Sequence, residues 1–149
     1  LLYHYFPTKR HFYVATVREA SRQLRDRTAT PAAMEPLQRL RAGLDAYLDY
    51  VLRHGPAYEA LLRSGVGADA EVTRIVDETR EAFCARLVEG SPVDANSPLV
   101  RVALRGWVGF VEASTLEWLA KRRTIRRAAM RDMLVQVLLG AVQTAASVG

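Results

Sequence analysis

The stretch LVRVALRGWVGFVEASTLEWL, Leu99 to Leu119, decides the class of fold. Apolar residues recur in it at intervals of three and four, the helical period, yet they occupy more than one face of the helix they define. A helix that is apolar over most of its circumference must be covered on more than one side. MLVQVLLGAVQ, Met133 to Gln143, has the same property. Two consecutive helices of this kind call for cover from the rest of the chain and from a second copy of it.

Outward from this pair the same period continues. No sustained two-residue alternation and no Asn-Gly or Asp-Gly hairpin turn is present, so the chain is expected to be all-α. The spacing predicts six helices. The first starts after Thr8 as N-cap and runs through KRHFYVATVREASRQLRDR on a stripe of Phe12, Ala15, Val17, Ala20 and Leu24. A linker from Thr28 to Pro36 follows, with prolines at 31 and 36.

The second helix, 35–54, carries Leu37, Leu40, Leu44, Tyr47, Leu48 and Val51, and stops at Gly55 and Pro56. A short third, 57–64, precedes a fourth over 70–89 capped by Asp69, with Val72, Ile75, Val76, Thr79, Phe83 and Leu87 on one face. The fifth is expected over 98–122 and the sixth over 124–146.

With 149 residues, half of them hydrophobic and a quarter charged, the chain has enough apolar mass for one well-buried core. The net charge of +5 permits an anionic partner. It is carried almost wholly by arginine, since Lys9 and Lys121 are the only lysines. Cys84 is the single cysteine and the three histidines are scattered, which gives no disulfide and no metal site. No cofactor is expected. Neither a signal peptide nor an apolar run of about 20 residues is visible, so a cytoplasmic chain with no membrane partner is expected. His11 is expected to face solvent; His54 and Cys84 read as structural.

The N-terminal segment LYHYFPTKRHF, Leu2 to Phe12, reads as a helix tail, a tight turn at Pro7 and Thr8, and a new helix beginning with a lysine. A cation at a helix N-terminus opposes the macrodipole, and a phosphate bound there would reconcile the two. An ordinary helix hairpin with exposed tyrosines fits the spacing equally well. LLYHYFPTKRHFYVATVREA closely resembles the end of the DNA-binding domain of TetR-family transcriptional regulators. The matched positions are Leu2, Tyr3, Tyr5, Phe6, Thr8, Lys9 and Phe12; Arg10 stands where that family more often has glutamate.

The resemblance implies that Tyr3 and Lys9 contact DNA backbone phosphates, with Tyr5 and Thr8 beside them, and that His4 lies at the groove-facing end of the recognition helix. It also implies that roughly forty residues making most of a helix-turn-helix are missing ahead of this point, so this piece alone would not bind an operator specifically. Residues 1–27 then close a DNA-binding head and its connecting helix. Residues 28–149 form a ligand-binding and dimerisation domain whose last two helices pair as a four-helix bundle in a homodimer. Gly106, Gly109 and Ala113 form a small-residue stripe suited to close approach of another backbone or a ligand, and Leu134, Val137, Leu138, Ala141 and Val142 supply a seam.

A regulator's pocket between helices should be apolar with a few polar groups. Its candidates are Tyr47, Phe83, Trp107, Phe110, Val111, Ser114 and Trp118, although aromatics at helical spacing are equally what a plain core requires. Glu112 within an apolar stretch needs solvent, an arginine such as Arg105, or a polar ligand group. The run KRRTIRR, Lys121 to Arg127, reads as a solvated turn. The expected function is a repressor that leaves its operator when a small apolar effector binds. The alternative is a helical dimeric interaction module without a ligand. An enzyme is not expected, because no nucleophile, base and orienting group recur at useful spacing.

Overall fold

A computed structural model describes residues 8–121 and 124–149. Within them six helices follow one another: α1 (Lys9–Arg27), α2 (Pro36–Arg53), α3 (Gly55–Ala60), α4 (Ala70–Val88), α5 (Pro98–Lys121) and α6 (Arg127–Val148). The described residues contain no strand beyond an isolated bridge between Val66 and Asp69.

Helix α1 begins as its sequence predicts: Thr8 is extended and its hydroxyl accepts from the His11 amide at 3.1 Å. The buried stripe is Val14, Val17 and Leu24, with Phe12, Ala15 and Ala20 only half covered. Their cover is incomplete because they border a cavity. Val14 and Val17 pack with Val72, Ile75 and Val76 of α4 in a small core of their own. The main core joins α2, α5 and α6 around Leu48, Val51, Leu134 and Val135, all with no exposed surface. On α2 the stripe holds except at Leu37, which stays exposed at the start of the helix, while Tyr50 is buried and donates its hydroxyl to the Ala20 carbonyl at 3.3 Å.

Two boundaries differ from the sequence expectation. Gly55 and Pro56 open α3 rather than closing the chain off, because proline is tolerated in the first turn of a helix. This helix then widens into a π turn over Leu61–Gly65, closed by the Val66 amide donating to the Leu61 carbonyl at 3.0 Å. At the other end of the chain α6 starts at Arg127, not Thr124. Thr124 is used instead on the carbonyl of Lys121, to which its amide and its hydroxyl both donate at 2.9 Å.

Asp69 both caps α4 and holds α1. Its carboxylate accepts from the Glu71 and Val72 amides at 2.9 and 3.2 Å and from Arg10 Nε at 2.5 Å. Arg10, which departs from the TetR pattern, thus has a carboxylate to meet. The Arg10 hydrogen bond foremost, then the Val72 amide, hold the Asp69 carboxyl below its usual range. A depressed folded-state value means the contribution is present above the unfolded carboxylate range of about pH 4 and is lost as pH falls through the folded value. Melting temperature of the wild type should therefore drop more steeply below about pH 4 than that of Asp69→Asn, which keeps a capping oxygen without the charge. Parallel curves would remove Asp69 from the acid sensitivity.

Candidate functional site

A cavity of about 1100 Å3 lies between α1, α2, α3, α4 and α5, with α6 at its edge. That exceeds the few hundred to about 1,000 Å3 usual for small-molecule sites, so it suits a large guest. The main core forms its floor, with Leu44, Leu104, Trp107, Val108 and Val111; Ile75, Val76, Phe83 and Leu87 of α4 form a wall. The cavity lies where the small α1–α4 core and the main core of α2, α5 and α6 remain separate clusters.

Of the seven residues expected to line a pocket, Tyr47, Phe83, Trp107 and Val111 do so. The other three point elsewhere. Phe110 is exposed on the outer side of α5, one helical step of about 100° from Val111. Ser114 is half-buried away from the cavity. Trp118 is fully packed in the core near the end of α5, where its indole N–H donates to the Ile125 carbonyl at 2.9 Å. Tyr58, Leu104 and Thr79 line the cavity without having been singled out. For Tyr58 the sequence carried little signal, since it sits in a helix of only six residues.

The polar groups on the α2, α3 and α5 side satisfy one another. Tyr47 and Tyr58 hydroxyls hydrogen-bond each other, and Tyr47 also donates to the buried Thr115 hydroxyl at 3.5 Å. Burial pushes the Tyr47 phenol up to about 12 and that of Tyr58 well above its ordinary value, so both stay protonated and neutral. Glu112 meets Arg80 of α4 rather than Arg105: Arg80 Nε and Nη2 donate to its two oxygens at 2.9 and 2.8 Å. Arg105 lies 3.7 Å from Asp77 instead. The bidentate pair joins α4 to α5 at the cavity wall, with side chains 17% and 20% exposed. This lies between an exposed pair and a buried one. Glu112→Gln should therefore cost about 2 kcal/mol in urea denaturation, and Arg80→Met in the same chain should recover part of it. Equal stability of Glu112→Gln and wild type would mean the pair contributes nothing.

A second feature faces outward. Val102, Gly106, Phe110 and Ala113 of α5 are exposed along one face, as are Met133, Gly140 and Val148 of α6. A Cβ placed on Gly106, Gly109 or Gly140 would meet nothing within 4 Å. The small-residue stripe of Gly106, Gly109 and Ala113 thus borders open space. Of the expected seam on α6, Val137 and Ala141 are partly exposed, whereas Leu134 and Leu138 are buried in the chain's own core. Leu138 and Val142 also line the cavity. A partner cannot reach Leu134 or Leu138, so the reachable α6 surface runs through Met133, Val137, Gly140 and Ala141.

At the N-terminal end Thr8 and Lys9 are exposed, and the Thr8 hydroxyl lies 2.9 Å from His11 Nδ1. Tyr3, His4 and Tyr5, the other expected DNA contacts, lie outside the described residues. Among the described residues no helix is long and apolar enough to cross a membrane.

Residues 36–141 match the family described as tetracyclin repressor-like, C-terminal domain. This chain belongs to the TetR family. A TetR-family transcriptional regulator from Streptomyces coelicolor superposes with a TM-score of 0.89 at 30% identity, over 99% of this chain and 67% of that one. The HTH-type transcriptional repressor KstR of Mycobacterium tuberculosis is 31% identical over 147 residues, covering 93% of this chain and 64% of the relative. KstR of Rhodococcus jostii is 26% identical over 144 residues, 66% of its length. The chain therefore spans about two thirds of the curated relatives it matches, and the part it shares with the TetR family is the C-terminal helical domain. The family is one of regulators, not of enzymes.

Proposed function

We propose that this TetR-family chain is the sensing and dimerising part of a transcriptional repressor acting in the cytoplasm, released from its operator by a largely apolar effector. The observation that carries the reading is the cavity of about 1100 Å3 with largely apolar walls, in which Tyr47 meets Tyr58 and Arg80 meets Glu112. In this reading residues 28–149 bind the effector and residues 1–27 serve the DNA-binding head. The guest lies against Tyr47, Phe83, Trp107 and Val111. Two copies pair through the open face of α5 and α6, with Gly106, Gly109, Ala113, Val137 and Ala141 in the contact. Repression is relieved only if the effector binds one spacing of the two heads more tightly than the other.

The test uses the full-length regulator on the DNA upstream of its own gene, with a panel of apolar compounds scored both for thermal stabilisation and for release of the DNA. A compound that does both supports the reading. A protein that shifts no DNA and is stabilised by no compound is instead an interaction module. For the head, Lys9→Ala in full-length protein should weaken binding to every DNA sequence and lower the salt slope by about one phosphate contact. An unchanged slope would reject the phosphate role of Lys9.

A further inference from the structure

The polar groups around the cavity are not electrically alike. At the wall formed by α4 and α5, Arg80 is matched by Glu112 and Asp77, and the tyrosines are neutral. At the opposite rim, beside the segment that leaves α1, stand Arg39 and Arg86. Arg39 donates through Nε to Thr30 Oγ1 at 3.3 Å and through Nη1 to the Glu89 carbonyl at 3.2 Å. Arg86 donates through Nη1 to Thr28 Oγ1 at 2.9 Å and through Nη2 to the Arg25 carbonyl at 2.7 Å. Every one of these acceptors is uncharged. Both side chains are half-buried, and the Arg86 guanidinium lies 5.7 Å from the centre of the Phe83 ring.

The nearby carboxylates do not cancel this charge. Asp26 is taken by Arg22 at 2.8 Å, and Glu89 is exposed, while Arg25 adds a further cation. Burial foremost, then the neighbouring Arg25 and last Arg39, lower the affinity of Arg86 for its proton, against the pull of Asp26 and Glu89. Two half-buried cations on one rim, bonded to Thr28 and Thr30 and otherwise only to neutral oxygens, are costly unless an anion joins them. A guanidinium has five N–H donors, and among the described residues no acceptor takes Arg39 Nη2 or Arg86 Nε.

We propose that Arg39 and Arg86 form an anion subsite at the cavity rim, so that the effector is an anionic amphiphile with its apolar body against Phe83 and Trp107 and its carboxylate or phosphate between the two guanidinium groups. The proposal rests on the sensor reading and adds the charge class of the effector. The planar fork of arginine suits either headgroup bidentately. Because Arg86 also ties α4 to the end of α1, and Arg39 ties α2 to the end of α4, the anion would bear directly on how α1 sits against the body.

The experiment measures binding of dodecanoate, dodecyl phosphate and dodecanol by quenching of Trp107, which lines the cavity. The wild type should bind at least one of the anions tenfold or more tightly than dodecanol, and the tighter of the two identifies the headgroup. Arg39→Gln with Arg86→Gln should bring all three probes within about twofold of one another while leaving dodecanol unchanged, which also shows that the cavity is intact. The double lysine variant, which keeps the charge but loses the fork, should retain part of the preference. Dodecanol binding as tightly as both anions, or a preference that survives the double Gln change, would overturn the anion subsite and leave the sensor reading standing. If none of the three binds, the cavity does not take amphiphiles and both readings fall together.

Discussion

Gly106→Arg and Gly140→Arg are expected to leave the helices intact and to weaken self-association strongly. Added side chains at these positions project into open space on a single chain, since a Cβ meets nothing within 4 Å at either one. Arginine is also a better helix former than glycine by up to about 1 kcal/mol, so local stability should not suffer. The partner face changes completely. In a two-fold interface each substitution appears twice, and a guanidinium inserted against the apolar Phe110, Ala113, Met133 and Val137 must be stripped of water. Self-association should weaken by at least 100-fold, roughly 2.7 kcal/mol. Sedimentation across a concentration series, with helical circular dichroism on the same samples, reads both halves of the expectation. A variant that still sediments as a dimer would mean that α5 and α6 do not form the interface. A comparable change at Leu138 would be uninformative, because that side chain is already inside the chain's own core.

The contrast between Leu138 and Gly140 marks where sequence reasoning stops. Periodicity was sufficient for the helical class and, with cap residue types, for the starts at Thr8 and Asp69, and it put Tyr47 and Phe83 on the single apolar faces of α2 and α4 that border the cavity. It could not phase a helix that is apolar all round. On α6 a rotation of 100° per residue separates buried Leu134 from exposed Met133, and both are equally apolar in sequence. The same ambiguity put Phe110 among the pocket candidates when it belongs to the outer face. Only the glycines carried phase information, since a run of residues without side chains on one face has no use inside a core packed by leucine and tryptophan.

Pairings across helices were the other hidden layer. Glu112 visibly needed a partner, yet nothing local distinguishes Arg80, 32 residues away, from Arg105 at seven, which a helix presents on nearly the same face as Glu112. Arg10 meeting Asp69 and Arg86 meeting the end of α1 are of the same kind. These contacts depend on how α1 and α4 are laid together, which is a tertiary fact. The cavity itself has no sequence signature, because it is the space left where the main core and the small α1–α4 core fail to merge.

Trp107→Ala should cause the largest single loss of folding stability among the cavity residues. The side chain is 6% exposed, belongs to the main core and donates its indole N–H to the Leu134 carbonyl at 2.9 Å. Truncating a buried tryptophan costs about 3 to 5 kcal/mol, the sum of lost transfer energy and the void left behind. Two features set the value within that range. The Leu134 carbonyl remains inside α6, where the backbone ladder still bonds it, so the lost indole bond leaves no orphaned acceptor. One side of Trp107 already borders the cavity, so part of the void opens onto existing space and not onto packed neighbours. The loss should therefore sit near 3 kcal/mol, with Trp118→Ala, packed away from the cavity at 2% exposure, nearer 5 kcal/mol. Urea denaturation of the two variants at one protein concentration measures the difference. The chain has two tryptophans, so Trp107→Ala leaves Trp118 as the remaining fluorophore, and quenching by a cavity ligand should disappear even where calorimetry still detects binding. Quenching that persists would move the ligand out of the space that Trp107 borders, and a stability loss under about 1 kcal/mol would mean that the indole is not part of the core it touches.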